Sequence, residues 1–207
     1  MGVVEFWEDR YGASQVWSGR ANQVLVDVAT DLTPGRALDL GCGEGGDALW
    51  LARHGWTVTA IAISATAVER GRAAAVAAGV PDGRVEWLAR DLADFRSDAG
   101  FDLVSAFFLQ SPVHLDRAQI LREAAAAVAP GGHLLLVSHA ASPPWATQLR
   151  AHHHDFPTPD GELASLSLAE GEWDVLVAEV RGRQATGPDG QPAELDDTIV
   201  LVRRRSS

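Results

Sequence analysis

Short runs of β-branched and apolar residues recur at 37–40, 57–63, 84–89, 102–107, 133–139, 173–180 and 198–203, and between them lie alanine-rich stretches. Runs of that length predict strands, and the stretches at 15–30, 47–54, 65–78 and 117–128 predict helices. Gly55, Gly79 and the Pro130-Gly131-Gly132 group stand where three helices should stop, because glycine accepts the left-handed conformation of a helix end and proline cannot continue a helix. Such alternation predicts a parallel sheet covered by helices. Past residue 140 it lapses. Weaker helical stretches fall at 145–153 and 163–168, and 142–171 reads as loop with short helix because it is rich in Pro, Gly and His. The last two strands are joined by Gly187-Pro188-Asp189-Gly190, a turn cluster with no room for a helix, so they predict a closing antiparallel pair.

Composition narrows the chemistry. With 207 residues, 46% hydrophobic and 22% charged, the chain predicts one folded domain. Its formal net charge of -11 repels phosphate polyanions and anionic membrane surfaces, which disfavours nucleic acid as a partner. All 17 basic residues are arginine. The absence of lysine excludes Schiff-base chemistry, a Walker A loop and a tyrosine-lysine dehydrogenase pair. A single cysteine, Cys42, excludes an internal disulfide framework and a multi-cysteine metal site, and fits a reducing compartment. The first residues mix acids with aromatics rather than showing a basic-then-apolar leader, and Phe6 stands where a myristoylation pattern wants Ser or Thr. A cytoplasmic, unanchored protein is expected.

The first strand runs into Asp39-Leu40-Gly41-Cys42-Gly43-Glu44-Gly45-Gly46, directly ahead of a helix. Glycines there let the backbone turn tightly and approach a ligand at the carboxyl ends of the strands. The spacing Gly41-x-Gly43-x-x-Gly46 also matches a dinucleotide fingerprint. With Asp39 ahead of Gly41, Gly43 and Gly45, the sequence resembles the class I S-adenosylmethionine-dependent methyltransferases, over roughly residues 5–140. The words Phe6-Trp7-Glu8-Asp9-Arg10-Tyr11 and Val16-Trp17-Ser18-Gly19-Arg20 look like the small-molecule branch related to thiopurine and tellurite-resistance methyltransferases. The resemblance implies an α/β, Rossmann-like sheet of seven mostly parallel strands, with helices on both faces and a C-terminal antiparallel strand. It implies one methyltransferase domain: a helical cap segment (1–34), a cofactor-binding core (35–140), a loop and short-helix segment (141–171) and a closing hairpin (172–207).

The same resemblance implies S-adenosylmethionine as cofactor, with S-adenosylhomocysteine as product. Gly41, Cys42, Gly43 and Gly45 would pass beneath its methionine part, and Asp39 would organise the ammonium group. Asp91 would accept the adenine amino hydrogen, Leu92 would offer its backbone N–H, Ile63 would wall the ring, and Phe107 and Trp17 would complete the cofactor set. Asp91 also reads as a helix cap. Where the family has an acid for the ribose hydroxyls this chain has Ala62. That departure leaves open an engineered substitution, compensation elsewhere, or an impaired, non-catalytic protein of the same fold. An NAD(P)-dependent oxidoreductase is the second alternative, although it too wants a ribose-binding acid.

Substrate should sit at the ends of the fourth and fifth strands, beside Phe107-Phe108-Leu109-Gln110-Ser111-Pro112-Val113-His114 and Ser138-His139. His114 and His139 are candidate bases, and Trp7, Tyr11, Phe108 and Trp145 are candidate substrate-binding walls. Adjacent histidines cannot easily converge on one ion, so His152-His153-His154-Asp155 is not read as a metal site, and no metal is expected. The expected reaction is methyl transfer to a sulfur, oxygen, nitrogen or chalcogen nucleophile on a small molecule, by a monomer or homodimer with neither nucleic-acid nor membrane partners.

Overall fold

The computed structural model describes residues 2–12, 14–96, 100–145, 156–187 and 189–206. In chain order its elements are α1 (Val3–Gly12), α2 (Gln23–Thr30), β1 (Arg36–Leu40), α3 (Gly46–Arg53), β2 (Thr57–Ala62), α4 (Ala65–Ala77), β3 (Val85–Ala89), β4 (Phe101–Phe107), α5 (Arg117–Ala126), β5 (Val128–His139), α6 (Pro159–Leu166), β6 (Trp173–Thr186) and β7 (Pro192–Arg204); a single 3₁₀ turn spans Leu92–Asp94. The strands form one sheet in the order β3-β2-β1-β4-β5-β7-β6. Pairing is parallel as far as β5, and β7 runs antiparallel between β5 and β6. The seven-stranded, mostly parallel sheet with a reversed last strand is therefore present.

Alternation along each strand fills both faces. Leu38, Val104 and Leu134 pack with α5 and α6 through Leu121 and Leu166, while Ala37, Leu103 and Leu135 pack with α2, α3 and α4 through Leu25, Leu51 and Val68. Strand order reverses between β1 and β4, which opens a crevice at their carboxyl ends. Trp87 of β3 locks the second face. An added Cβ on Gly71 would lie 2.5 Å from its ring, and one on Gly45 would overlap the same indole. A glycine in the turn before α3 and another within α4 thus make room for one buried side chain.

The structure departs from the pattern in four places. The helix expected over 15–30 begins only at Gln23, because the Asn22 side chain caps it by accepting from Val24 N at 2.9 Å, and the Val16 and Trp17 amides donate to Glu44. Pro130-Gly131-Gly132 lies inside β5 rather than ending a helix; Gly131 has φ +81°, and the register with β4 shifts between Phe101 and Leu103. β6 and β7 are longer than expected, since β6 is an edge strand whose exposed second half is polar. The helix expected at 163–168 is α6, started one turn earlier by Pro159 behind the capping Thr158. The helical stretch at 145–153 lies outside the described residues beyond Trp145, as does His152-His153-His154-Asp155. Among the described residues no helix is long and apolar enough to cross a membrane.

Candidate active site

The turn after β1 is held from below: the amides of Gly41 and Cys42 both donate to Ile61 O, each at 2.9 Å, and Gly45 N donates to Cys42 O at 2.8 Å. Gly41, Gly43 and Gly45 have φ of +78°, +52° and +83°, the region that side chains disfavour. Leu109, from the loop after β4, reaches to within 3.0 Å of where a Cβ on Gly41 would stand. Over Gly43 stand Trp17 Nε1 and Tyr11 Oη, both 3.2 Å from a notional Cβ, and the indole donates to the phenol at 2.9 Å. Glu44, inside the turn, binds the roof in place by accepting from the amides of Val16 and Trp17 and from Arg70, whose guanidinium also reaches Ser14 O. Tyr11 is buried and Trp17 is half exposed, so one wall of the roof is fixed and the other meets solvent.

Asp39 is the electrostatic centre of this end. It is 2% exposed; Oδ1 accepts weakly from Ser105 Oγ at 3.5 Å, and Oδ2 has no partner among the described residues. Burial first, and the neighbouring Asp47 second, raise its pKa well above the usual carboxylate range. Burial and Asp39 likewise push the Cys42 thiol up, so it stays protonated. Such an orphaned acidic oxygen beside a glycine cradle is an acceptor for a cationic group. Asp47, in the first turn of α3, accepts from Asn22 N at 2.6 Å and is pushed up to about 6 by burial. Because the folded state holds this proton more tightly than the unfolded state, the associated stability is present below the ordinary carboxylate pKa and is lost as pH rises through about 6. Asp47→Asn keeps the acceptor and removes the charge. It should raise the unfolding free energy by about 1–3 kcal/mol at pH 7.5 with little gain at pH 4, as denaturant midpoints at the two pH values would report.

A second group gathers at the ends of β4 and β5. Phe108 has φ +50°, a strained conformation for a bulky residue, and its amide donates to Val137 O at 2.7 Å. Its ring lies 4.3 Å from the His139 ring and beneath the Arg183 guanidinium at 5.6 Å. His139 Nδ1 pairs with Asp197 Oδ1 at 3.2 Å, and Asp197, 2% exposed, takes Arg183 on its other oxygen. Gln110 holds the His139 backbone through both its N–H and its carbonyl. The adjacent Ser138 points to the other face, into a buried knot with Arg117 and Glu162.

The structure therefore brings together Tyr11, Trp17, Asp39, Gly41, Cys42 and Gly43 at one end of the crevice, and Phe108 with His139 at the other. Gly45 is committed to Trp87 rather than facing the crevice. Ala62 ends β2 and is buried, followed by half-buried Ile63. Asp91 caps the 3₁₀ turn, Oδ1 accepting from Ala93 N at 2.9 Å, and the Leu92 side chain is in the core. Phe107 is half-buried against the second face, and Trp7 meets Phe6 edge-on at 5.4 Å and lies tilted to Tyr11 at 6.1 Å. His114 is exposed in the loop before α5, and Trp145 is half-buried in a turn. Sequence reasoning missed Glu44, Asp197 and Arg183. The β5–β7 register sets His139 opposite Asp197, and the β6–β7 pairing brings Arg183 to the same carboxylate.

Residues 37–132 match the family described as Methyltransferase domain. Over 134 residues the chain is 35% identical to 27-O-demethylrifamycin SV methyltransferase of Amycolatopsis mediterranei (strain S699), a match covering 63% of this chain and 48% of that protein. The chain spans about half or less of the length of the curated relatives it matches. A solved structure described as "Conversion of a Disulfide Bond into a Thioacetal Group during Echinomycin Biosynthesis" shares the fold, with a TM-score of 0.73 over 98% of this chain and 93% of that one at 22% identity. N-methyltransferase NodS from Bradyrhizobium japonicum WM9, solved with S-adenosyl-L-homocysteine, shares it with a TM-score of 0.65 over 88% of this chain and 84% of that one at 19% identity.

Proposed function

We infer that the chain belongs to the class I S-adenosylmethionine-dependent methyltransferases, and on that premise propose that it transfers the cofactor's methyl group to a small nucleophilic acceptor held at the ends of β4 and β5. The observation that carries this reading is the orphaned Oδ2 of Asp39 beside three positive-φ glycines, an acceptor suited to the cofactor's ammonium group. When bound, S-adenosylmethionine supplies a sulfonium methyl group as the electrophile of an in-line displacement. Gly41, Cys42 and Gly43 would hold its methionine part beneath Tyr11 and Trp17, with Ile63, Leu92 and Phe107 around the nucleoside. Asp91, whose Oδ1 is spent on the 3₁₀ turn, offers Oδ2 to the adenine amino group.

At the acceptor end the new bond to carbon forms as the carbon–sulfur bond breaks, and a protonated nucleophile passes its proton to a base. His139 fits that task better than exposed His114, because Asp197 fixes its Nδ1 and leaves Nε2 for the acceptor. Phe108 and the Trp7–Tyr11 face of α1 are the apolar walls. The net charge of -11 favours a small acceptor over ribosomal RNA, the acceptor named for other curated relatives. The test is incubation with methyl-labelled S-adenosylmethionine and a panel of thiols, phenols, amines and ribosomal RNA. Label should enter a small acceptor, with His139→Asn lowering kcat by about a hundredfold or more. Label entering RNA alone would remove the small-acceptor reading, and binding without turnover on any acceptor would support a non-catalytic role.

A further inference from the structure

A glycine-rich turn after β1 that holds a nucleoside-containing cofactor wants a carboxylate about 20 residues further on, at the end of β2, to accept hydrogen bonds from the ribose hydroxyls. That place is Ala62, whose side chain offers no acceptor. The carboxylate that the structure does bring to this strand end comes from α1: Glu8 Oε1 accepts from the amides of Ala65 and Thr66, the first two residues of α4. Glu8 and Tyr11 are three residues apart and share a face of α1. Tyr11 stands over Gly43, so this face runs from the glycine turn to the start of α4, over the carboxyl ends of β1 and β2 on one side of the crevice. The sugar that links a moiety at Asp39 to a base beside Ile63 would lie under that span.

We infer that Glu8 is the ribose-binding carboxylate of this chain, supplied by α1 in place of an acid at position 62. This rests on the cofactor reading above. The Thr66 hydroxyl, and then the two amides, hold the Glu8 carboxyl below its usual pKa, so it is anionic at neutral pH. With Oε1 on the two amides and the Thr66 and Ser64 hydroxyls beside the carboxyl, Oε2 is the oxygen that would meet a diol. The arrangement makes α1 part of the binding site rather than only a cover, and couples its docking on α4 to the cofactor.

The test is calorimetric titration of the unaltered chain, Glu8→Gln, and Glu8→Gln combined with Ala62→Asp, using S-adenosylhomocysteine and its 2′-deoxyribose analogue. Glu8→Gln keeps an acceptor for the α4 amides and should melt near the parent temperature. It should weaken S-adenosylhomocysteine by about tenfold and the deoxy analogue clearly less, and Ala62→Asp should restore the loss. Undiminished affinity in Glu8→Gln, or an equal loss for both ligands, would overturn the inference and leave Glu8 as a tether for α1. No binding by the unaltered chain would instead overturn the cofactor reading on which the inference stands.

Discussion

Replacing Arg117 by methionine should lower the unfolding free energy by about 3–5 kcal/mol, the usual result of stranding one half of a buried ion pair. Glu162 is 1% exposed and receives both terminal nitrogens of Arg117, with a further hydrogen bond from Ser138 Oγ at 2.7 Å. Arg117 also donates through Nε to Leu109 O at 3.1 Å. Methionine fills much of the volume but satisfies none of these groups. The expected cost is therefore the desolvated carboxylate, and Arg117→Met with Glu162→Leu should recover most of it. Chemical denaturation of the single and double variants measures both. Since Leu109 follows β4 and reaches Gly41, the single variant should also loosen the crevice wall.

The second large effect separates two glycines that look alike in the sequence. Gly45→Ala should cost about 2–5 kcal/mol of stability, the sum of a left-handed backbone strained by a side chain and an overpacked core. At φ +83° the new methyl would overlap the Trp87 ring, which Gly71 confines from the other side. Gly43→Ala meets only the tips of Trp17 and Tyr11, at 3.2 Å, and one of these is half exposed. It should cost about 1–2 kcal/mol through its positive φ and yet abolish cofactor binding, because the methyl enters the space beneath the roof. Melting curves and S-adenosylhomocysteine titrations of the two variants should therefore rank them in opposite orders.

These contrasts mark where the sequence is legible. Gly41, Gly43 and Gly45 announce a turn because positive φ is a local demand, and residues at strand ends announce a crevice because the strand–helix alternation is regular. What Gly45 makes room for cannot be read locally, since Trp87 lies on another strand and Gly71 on another helix. His139 is visible as the last residue of a strand. Its partner Asp197 is 58 positions away and arrives through antiparallel pairing with β7, a register that polar alternation in a partly exposed hairpin leaves unmarked. The stretch 15–22 adjoins α2 in the sequence, but Gly19 takes φ +71°, Asn22 caps the helix, and Glu44 draws the Val16 and Trp17 amides into a strap over the turn, a tertiary contact with no local signal. Glu8 reads as one charge among several on an N-terminal helix until α1 is seen to reach the start of α4.

Calorimetric titration of the unaltered chain with S-adenosylhomocysteine, in two buffers of different ionisation enthalpy, tests the central claim most directly. The account predicts saturable binding at one site per chain, with the ligand's cationic ammonium group favouring the anionic form of the buried Asp39 carboxyl, whose pKa burial raises, so that any difference in heat between the buffers has the sign of proton release. Heat that never saturates in either buffer would contradict it.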